Sequence, residues 1–133
     1  MPKSFEELIA AATAARERAY APYSKYPVGA AVLGKSGRVF TGCNVENVSF
    51  GLTVCAERTA ILKAVSEGER EFDALAVVTS NGGAPCGACR QVIFEFASPD
   101  IPIVVSDTAG SHVIHTISEL LASGFGPRDL PRA

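Results

Sequence analysis

Two short stretches organise this sequence: Cys55-Ala56-Glu57-Arg58 and Pro85-Cys86-Gly87-Ala88-Cys89-Arg90. They offer three thiols, one carboxylate and guanidinium groups, and thiolates are ligands that suit zinc. Three protein ligands leave the fourth tetrahedral position open, which is typical of a catalytic zinc site rather than a structural one. The carboxylate of Glu57 follows Cys55 by two residues, close enough to act on whatever fills that position. The pattern predicts a hydrolytic zinc enzyme.

Each stretch is predicted to fall where a strand gives way to a helix. Thr53 is a suitable N-cap for a helix running to about Glu67, and Pro85 suits the first position of the next helix. Helix N-termini carry partial positive charge and free N–H groups, so they lower the pKa of a thiol from its usual value of about 8.5. Two such helix starts facing one point would hold all three thiols around one ion. Arg58 could then donate to the thiolates and offset their excess negative charge.

Periodicity and turn signals predict the elements around these stretches. Ser4-Phe5-Glu6-Glu7 fits a capping box, so a helix is expected from there to about Tyr20. A second capping box is expected at 116–119. Apolar runs bounded by turn residues predict strands at 28–33, 38–43, 74–79 and 101–105, with an edge strand at 113–114. This order predicts an α/β fold, a three-layer α-β-α arrangement around a mixed central sheet of about five strands.

Composition is that of a globular protein and excludes several classes of function. The 133 residues, 47% of them hydrophobic, are expected to form a single domain, 1–133. The net charge is −2 and basic residues are scattered singly, so no polynucleotide partner is expected. No apolar run approaches the length of about 20 residues that spans a bilayer, so no membrane association is expected. Four cysteines without a signal-peptide core indicate a cytoplasmic protein whose thiols bind metal or act in catalysis.

Other interpretations of the cysteines stay open at this point. The Cys-x-x-Cys pair could be a redox pair, although Cys55 and its neighbouring glutamate would then have no explanation. Cys43 could complete a structural four-cysteine zinc site, but its place near a strand end favours a small buried residue. His112 and His115 are an odd number of residues apart on a predicted strand, so they face opposite sides and are not expected to share a metal.

The motifs, in this order, resemble the zinc-dependent cytidine deaminases. That family carries Cys-Ala-Glu or a histidine-containing equivalent, followed downstream by a Pro-Cys-x-x-Cys stretch. Cys55 takes the place of the histidine, as in the small three-cysteine members. Further segments share the resemblance, so that it covers nearly the whole chain: 21–24, 28–31, 42–47, 64–68 and 125–127.

The resemblance implies the family's fold and its reaction. The reaction is hydrolytic deamination of cytidine and 2′-deoxycytidine to uridine and 2′-deoxyuridine, with release of ammonia, in pyrimidine salvage. One Zn²⁺ per chain would be held by Cys55, Cys86 and Cys89, with Arg58 beside the thiolates. Glu57 would remove a proton from the zinc-bound water and pass it to the ring.

The resemblance also implies the substrate contacts. Asn44 and Glu46 correspond to side chains that hold the ribose hydroxyls, and a carboxylate there would repel a phosphate, which favours a free nucleoside. Ala56 through its N–H and Ala84 through its carbonyl correspond to backbone groups that contact the base and its leaving amine. Tyr26 stands where the family commonly has a phenylalanine packed near the substrate. Without the zinc motifs, the segment at 44–47 would be interpreted as a capped turn.

Three-cysteine members of the family are typically homotetramers with shared active sites. Phe125 resembles the aromatic residue that stacks on the cytosine from a neighbouring subunit, although alone it would be an ordinary hydrophobic anchor. Rival functions remain open beside this one. They are a deaminase of a cytosine-containing antibiotic, which would usually lack the run Asn44-Val45-Glu46-Asn47, a thiol redox protein, and a zinc-stabilised binding protein without catalysis.

Overall fold

The computed structural model describes residues 4–131, and its elements follow the predicted order. The helices are α1 (Phe5–Arg16), α2 (Ala56–Ser66), α3 (Gly87–Phe96) and α4 (Ile117–Leu120). The strands are β1 (Gly29–Gly34), β2 (Val39–Cys43), β3 (Phe72–Thr79), β4 (Pro102–Asp107) and β5 (His112–Thr116). Short 3₁₀ turns lie at Phe50–Leu52 and Pro127–Asp129. Among the described residues, no helix is both long and apolar enough to cross a bilayer.

The five strands form one mixed sheet in the order β2-β1-β3-β4-β5. β3 and β4 pair in parallel, with Val77 opposite Val105, and the other neighbouring strands are antiparallel. The interior strands β1, β3 and β4 are buried along most of their length, which explains their near-continuous apolar sequences. β5 is the exposed edge strand that was predicted at 113–114. The sheet confirms the predicted fold class.

Helices cover both faces of the sheet and form the outer two of three layers. On one face, α1 packs against alternate residues of β1, β3 and β4 through Leu8 and Ala12. On the other face, α2, α3 and α4 contribute Ile61, Ile93 and Ile117 to a larger core. Each fully buried side chain of this size contributes about 1.5–3 kcal/mol. Because successive strand residues point to opposite faces, one continuous apolar run supplies both cores.

The first helix begins as predicted but ends earlier. Glu7 N donates to Ser4 Oγ (3.1 Å) and Ser4 N donates to Glu7 Oε1 (3.0 Å), which is the expected capping box. The predicted end at about Tyr20 is wrong, because the helix stops at Arg16. Tyr20 instead exchanges backbone hydrogen bonds of 2.9 and 2.8 Å with the chain at 44–46. This pairing keeps the backbone extended at Tyr20 and holds it beside the residues that directly follow β2.

Gly42 allows α2 to lie directly against the sheet. A Cβ atom at this position would lie 2.5 Å from the Ala60 nitrogen and 2.7 Å from the Ala56 carbonyl oxygen. Both are backbone atoms of α2, which cannot move aside as a flexible side chain could. The close approach sets the height of the start of α2 above the sheet, and therefore the position of Cys55.

Gly42→Ala is expected to destabilise the fold by about 1–3 kcal/mol, because its methyl group would collide with helix backbone. Denaturant unfolding followed by circular dichroism measures the change. Gly51→Ala is the matched control, since a Cβ at Gly51 would meet no atom within 4 Å. The control should change the free energy of unfolding by less than about 0.5 kcal/mol. Equal losses in the two variants would contradict the close approach of α2.

Candidate active site

Three cysteines lie at the starts of two helices. Cys55 is the N-cap residue of α2, Cys86 is the N-cap residue of α3, and Cys89 lies in the first turn of α3. Cys55 and Cys86 both have extended backbone conformations, so the chain turns into a helix immediately after each of them. The N–H groups of the first helical turn have no partner within the helix and point toward this side. The thiols therefore sit in a locally positive environment.

Both helices start slightly later than predicted. Thr53 follows the 3₁₀ turn at Phe50–Leu52 instead of capping α2, and Pro85 precedes the N-cap of α3 instead of opening the helix. Val54 exchanges backbone hydrogen bonds with Val45 (2.9 and 3.0 Å). Because that pairing keeps the chain extended through Val54, α2 cannot begin before the first cysteine.

The three thiols are close enough to share one metal ion. Cys55 Sγ lies 3.7 Å from Cys86 Sγ, which lies 3.4 Å from Cys89 Sγ. All three sulfur atoms lie within 4.8 Å of one another. Zinc–sulfur bonds of about 2.3 Å in a tetrahedral site separate the sulfur atoms by about 3.8 Å, so the spacing fits zinc. Within residues 4–131 this is the one group of three or more potential ligands, and Cys43 is not part of it.

The charge on the thiols is set by their neighbours. A hydrogen bond from the Cys89 thiol, together with Arg58, lowers the pKa of Cys55 to about 5. The same hydrogen bond and burial raise the pKa of Cys89. Arg58 Nη2 lies 3.5 Å from Cys55 Sγ and 3.4 Å from the Thr53 carbonyl oxygen. Arg58 thus stands beside a thiolate, where its charge offsets negative charge on sulfur.

Glu57 is a buried acid beside the thiols. It is only 4% exposed, and burial raises its pKa to about 7. At that value the carboxyl group can both accept and give a proton near neutral pH. With Cys55 and Cys86, Glu57 lines a cavity of about 270 Å³.

Most of the residues singled out from the sequence line this same cavity. The lining residues that were predicted as site residues are Tyr26, Asn44, Glu46, Cys55, Ala56, Glu57, Ala84 and Cys86. Cys89 is fully buried behind them. Segments far apart in the sequence are thus brought to one cavity, which joins the thiol cluster to a set of polar side chains.

Glu46 is held in place by the loop that follows α1. Its carboxylate accepts hydrogen bonds from the backbone N–H groups of Tyr23 (2.9 Å) and Ser24 (3.1 Å), and from the Ser24 hydroxyl. These bonds, led by the hydroxyl, hold the pKa of Glu46 below its usual value. Glu46 therefore keeps its charge inside the wall of the cavity.

Asn44 fastens the same loop by its amide group. Nδ2 donates to the Tyr26 carbonyl oxygen (2.9 Å), and Oδ1 accepts from the Val28 N–H (2.9 Å). The second N–H of Nδ2 and the second lone pair of Oδ1 are left over from these two bonds. The side chain can therefore support the fold and contact a ligand at the same time.

Phe125 does not reach the cavity within one chain. It is 58% exposed and lines a separate groove of about 680 Å³ with Gln91 and Glu95. Gln91 Nε2 donates to the Phe125 carbonyl oxygen (2.8 Å), which fixes the backbone there. The side chain is left free to contact another molecule.

Ser24 and Thr79 also line the cavity, although neither was predicted as a site residue. Thr79 is buried and accepts a hydrogen bond from the Gly83 N–H (2.8 Å). The sequence did offer a signal for Thr79, because it is a polar residue at the end of an apolar strand and lies shortly before a zinc stretch. Ser24 lies in the segment 21–24 that resembles the family, but its role was not predicted because its partner Glu46 is distant in sequence.

Comparisons with known proteins agree with this geometry. A family model described as the cytidine and deoxycytidylate deaminase zinc-binding region matches residues 2–105. The cytidine deaminase of Sporosarcina psychrophila is 50% identical over 130 residues, which cover 96% of each chain. The crystal structure of cytidine deaminase from Burkholderia pseudomallei is 48% identical and superimposes with a TM-score of 0.89, covering 92% of this chain and 100% of that one. The crystal structure of cytidine deaminase from Mycobacterium tuberculosis, 40% identical, gives a TM-score of 0.80 over 93% of this chain and 98% of that one.

The family match covers well over half of the chain, and the identity extends across nearly all of it. The matched part of the chain contains the three-thiol cluster and the buried glutamate. On these grounds the chain belongs to the cytidine deaminase family of hydrolytic enzymes.

Proposed function

We propose that this enzyme deaminates cytidine and 2′-deoxycytidine to uridine and 2′-deoxyuridine, with water as co-substrate and ammonia as the second product. The observation that carries the proposal is one cavity lined by the thiol cluster, the buried Glu57, and the polar side chains Asn44 and Glu46. A nucleoside suits such a cavity, because its base needs proton transfer and its sugar needs hydrogen-bonding partners. Relatives that carry the name cytidine deaminase support the choice of base.

The donor set of the thiol cluster fits one zinc ion per chain. Zinc bound there would lower the pKa of a water molecule and so supply a nucleophile near neutral pH. Cys55, Cys86 and Cys89 would hold the ion. Arg58, 3.5 Å from Cys55 Sγ, would balance part of the charge of three thiolates.

Glu57 moves protons between water and the cytosine ring in this mechanism. It takes one proton from the attacking water and delivers it to ring N3 while the water oxygen bonds to C4. It then takes the second water proton and delivers it to the exocyclic nitrogen, and the C4–N4 bond breaks to release ammonia. A carboxyl group with a pKa of about 7 suits transfer in both directions.

Two backbone groups would orient the base. Ala56 is the first residue of α2, so its N–H has no partner within the helix and can donate to the base. Ala84 immediately precedes the second zinc stretch, and its carbonyl oxygen can accept from the leaving amine. Because both contacts use backbone, they depend on where the two helices start and not on the alanine side chains.

Asn44 and Glu46 would hold the ribose hydroxyl groups. An amide offers a donor and an acceptor, whereas an ionised carboxylate only accepts, so a sugar hydroxyl would donate to Glu46. Hydrogen bonds from the loop keep Glu46 charged. A charged carboxylate repels phosphate, which favours a free nucleoside over a nucleotide or a polynucleotide.

A homotetramer with shared active sites is part of the proposal. Val48, Phe50 and Leu52 form an exposed apolar segment directly before the first zinc stretch. Exposed apolar surface of this kind is typical of an interface between chains. Phe125 from a neighbouring copy could then stack on the cytosine. A cytoplasmic location, where free thiols persist, and a role in pyrimidine salvage complete the proposal.

Glu57→Gln is expected to lower cytidine turnover by about 10²- to 10⁴-fold while zinc content and fold are retained, because the amide cannot shuttle a proton. The loss of cytidine absorbance measures turnover, and elemental analysis measures zinc. Glu67→Gln is the matched control at the other end of α2, where the carboxylate forms only an exposed ion pair with Arg38 (2.8 Å). An unchanged rate in Glu57→Gln would remove this residue from the mechanism.

Purified protein is expected to hold about one zinc per chain, and Cys86→Ala should lose the metal and the activity together. Cys43→Ala is the matched control, because Cys43 lies outside the thiol cluster. Metal-free protein that reduces disulfides would instead indicate a redox function.

Shared active sites predict complementation between two defective chains. Phe125→Ala should raise the KM for cytidine at least about fivefold, since base–aromatic stacking contributes about 1–3 kcal/mol. Co-expression with Glu57→Gln chains should form sites with Glu57 from one chain and Phe125 from the other. Those sites should recover a low KM. A KM equal to that of Phe125→Ala alone would show that the sites are not shared in this way.

A further inference from the structure

The hydroxyl group of Tyr26 connects two separate walls of the cavity. Tyr26 Oη donates to Asn81 Oδ1 (2.6 Å), on the loop after β3. The same Oδ1 accepts from Thr79 Oγ1 (3.3 Å), which in turn accepts from the Gly83 N–H (2.8 Å). The tyrosine is thus joined through two side chains to the backbone directly before Ala84.

The backbone of Tyr26 is fastened on the opposite side. Its N–H donates to Ser24 Oγ (3.1 Å), and Ser24 donates to Glu46. Its carbonyl oxygen accepts from Asn44 Nδ2 (2.9 Å). One residue therefore links the wall that carries Asn44 and Glu46 to the wall that carries Ala84.

Gly83 packs closely against this hydroxyl. A Cβ at Gly83 would lie 2.6 Å from Tyr26 Oη, and the next atom, Asn81 Oδ1, would be 3.6 Å away. The backbone of Gly83 is not in the left-handed region that favours glycine. The tyrosine oxygen alone is therefore what excludes a side chain at position 83.

The hydrogen bond from Tyr26 to Asn81, here called the tether, ends on a loop that has no helix or strand of its own. Asn81-Gly82-Gly83 lies between β3 and α3, and its glycines give the backbone wide conformational freedom. A loop of this composition would have to be ordered each time a ligand binds, unless a contact orders it beforehand. The Tyr26 hydrogen bond is the side-chain contact that reaches this loop from the sugar-binding wall.

We propose that Tyr26 is a positioning residue whose hydroxyl, through Asn81, sets the width of the nucleoside cavity before substrate binds. The inference rests on the proposed deamination of cytidine, and it deepens that proposal by giving the Tyr26 hydroxyl a part, beside Thr79, in the preorganisation of the Ala84 carbonyl. Removing the tether should weaken binding of the nucleoside more than it slows the chemical steps, because Glu57 and the thiols do not contact it.

Tyr26→Phe keeps the ring and removes only the tether. The KM for cytidine should rise about 2- to 10-fold, the range expected for loss of one net hydrogen bond, while kcat stays within about twofold. Hydrogen exchange of the free protein should quicken at the amides of 81–84. Tyr20→Phe is the matched control on the same loop, since Tyr20 does not line the cavity. An unchanged KM and unchanged exchange in Tyr26→Phe would overturn the proposal.

Gly83→Ala tests the same contact from the other side. In the wild-type background it should displace Tyr26 and raise the KM at least as much as Tyr26→Phe does. In the Tyr26→Phe background it should add little, because the atom it would strike is gone. Additive effects of the two changes would overturn the proposal, and so would a Gly83→Ala folding defect that Tyr26→Phe does not relieve.

The two proposals fail in different ways. Wild-type protein that does not turn over cytidine or 2′-deoxycytidine would refute the proposed function, whatever the variants do. Hydrogen exchange at 81–84 and the folding of the double variant need no substrate. They therefore decide the tether independently of the reaction.

Discussion

The convergence of two helix starts on one point is the constraint on which the rest of the structure depends. α2 precedes β3 and α3 follows it, so both helices are anchored to the same central strand. Three sulfur atoms within 4.8 Å of one another would repel as bare thiolates. The free N–H groups of two first turns and the guanidinium of Arg58 lower that repulsion. The close approach at Gly42 holds α2 where these groups can act together.

The burial of Glu57 follows from the same arrangement. Glu57 is the second residue of a helix that packs against the sheet, and its side chain is buried and loses its hydration. Desolvation disfavours the charged carboxylate and raises its pKa to about 7. A buried acid of this kind is unfavourable for stability, and such perturbed groups are typical of catalytic sites. The cost is offset by the two apolar cores on either face of the sheet.

The polar wall of the cavity supports the fold and keeps hydrogen-bonding capacity for a ligand. Glu46 and Asn44 use part of their hydrogen-bonding capacity on the loop at 20–28, which has no helix or strand of its own. Tyr26 extends this network to the loop after β3. The cavity is therefore bounded by segments that hold one another in place through side chains. Phe125 stands apart from this network, because it lines a separate groove and is 58% exposed.

Much of this protein follows from its sequence, because the relevant signals are local. Apolar runs and capping boxes predicted the fold class and element order, and the two cysteine stretches predicted the thiol cluster. The tertiary structure decided the end of α1 at Arg16 and the N-cap at Cys55. Both depend on backbone pairing of Tyr20 and Val54 with the chain near Val45. The tertiary structure also revealed that Ser24 pairs with Glu46 and Tyr26 with Asn81. Hydrogen bonds between segments far apart in sequence leave no periodic pattern, because they exist only once folding brings those segments side by side.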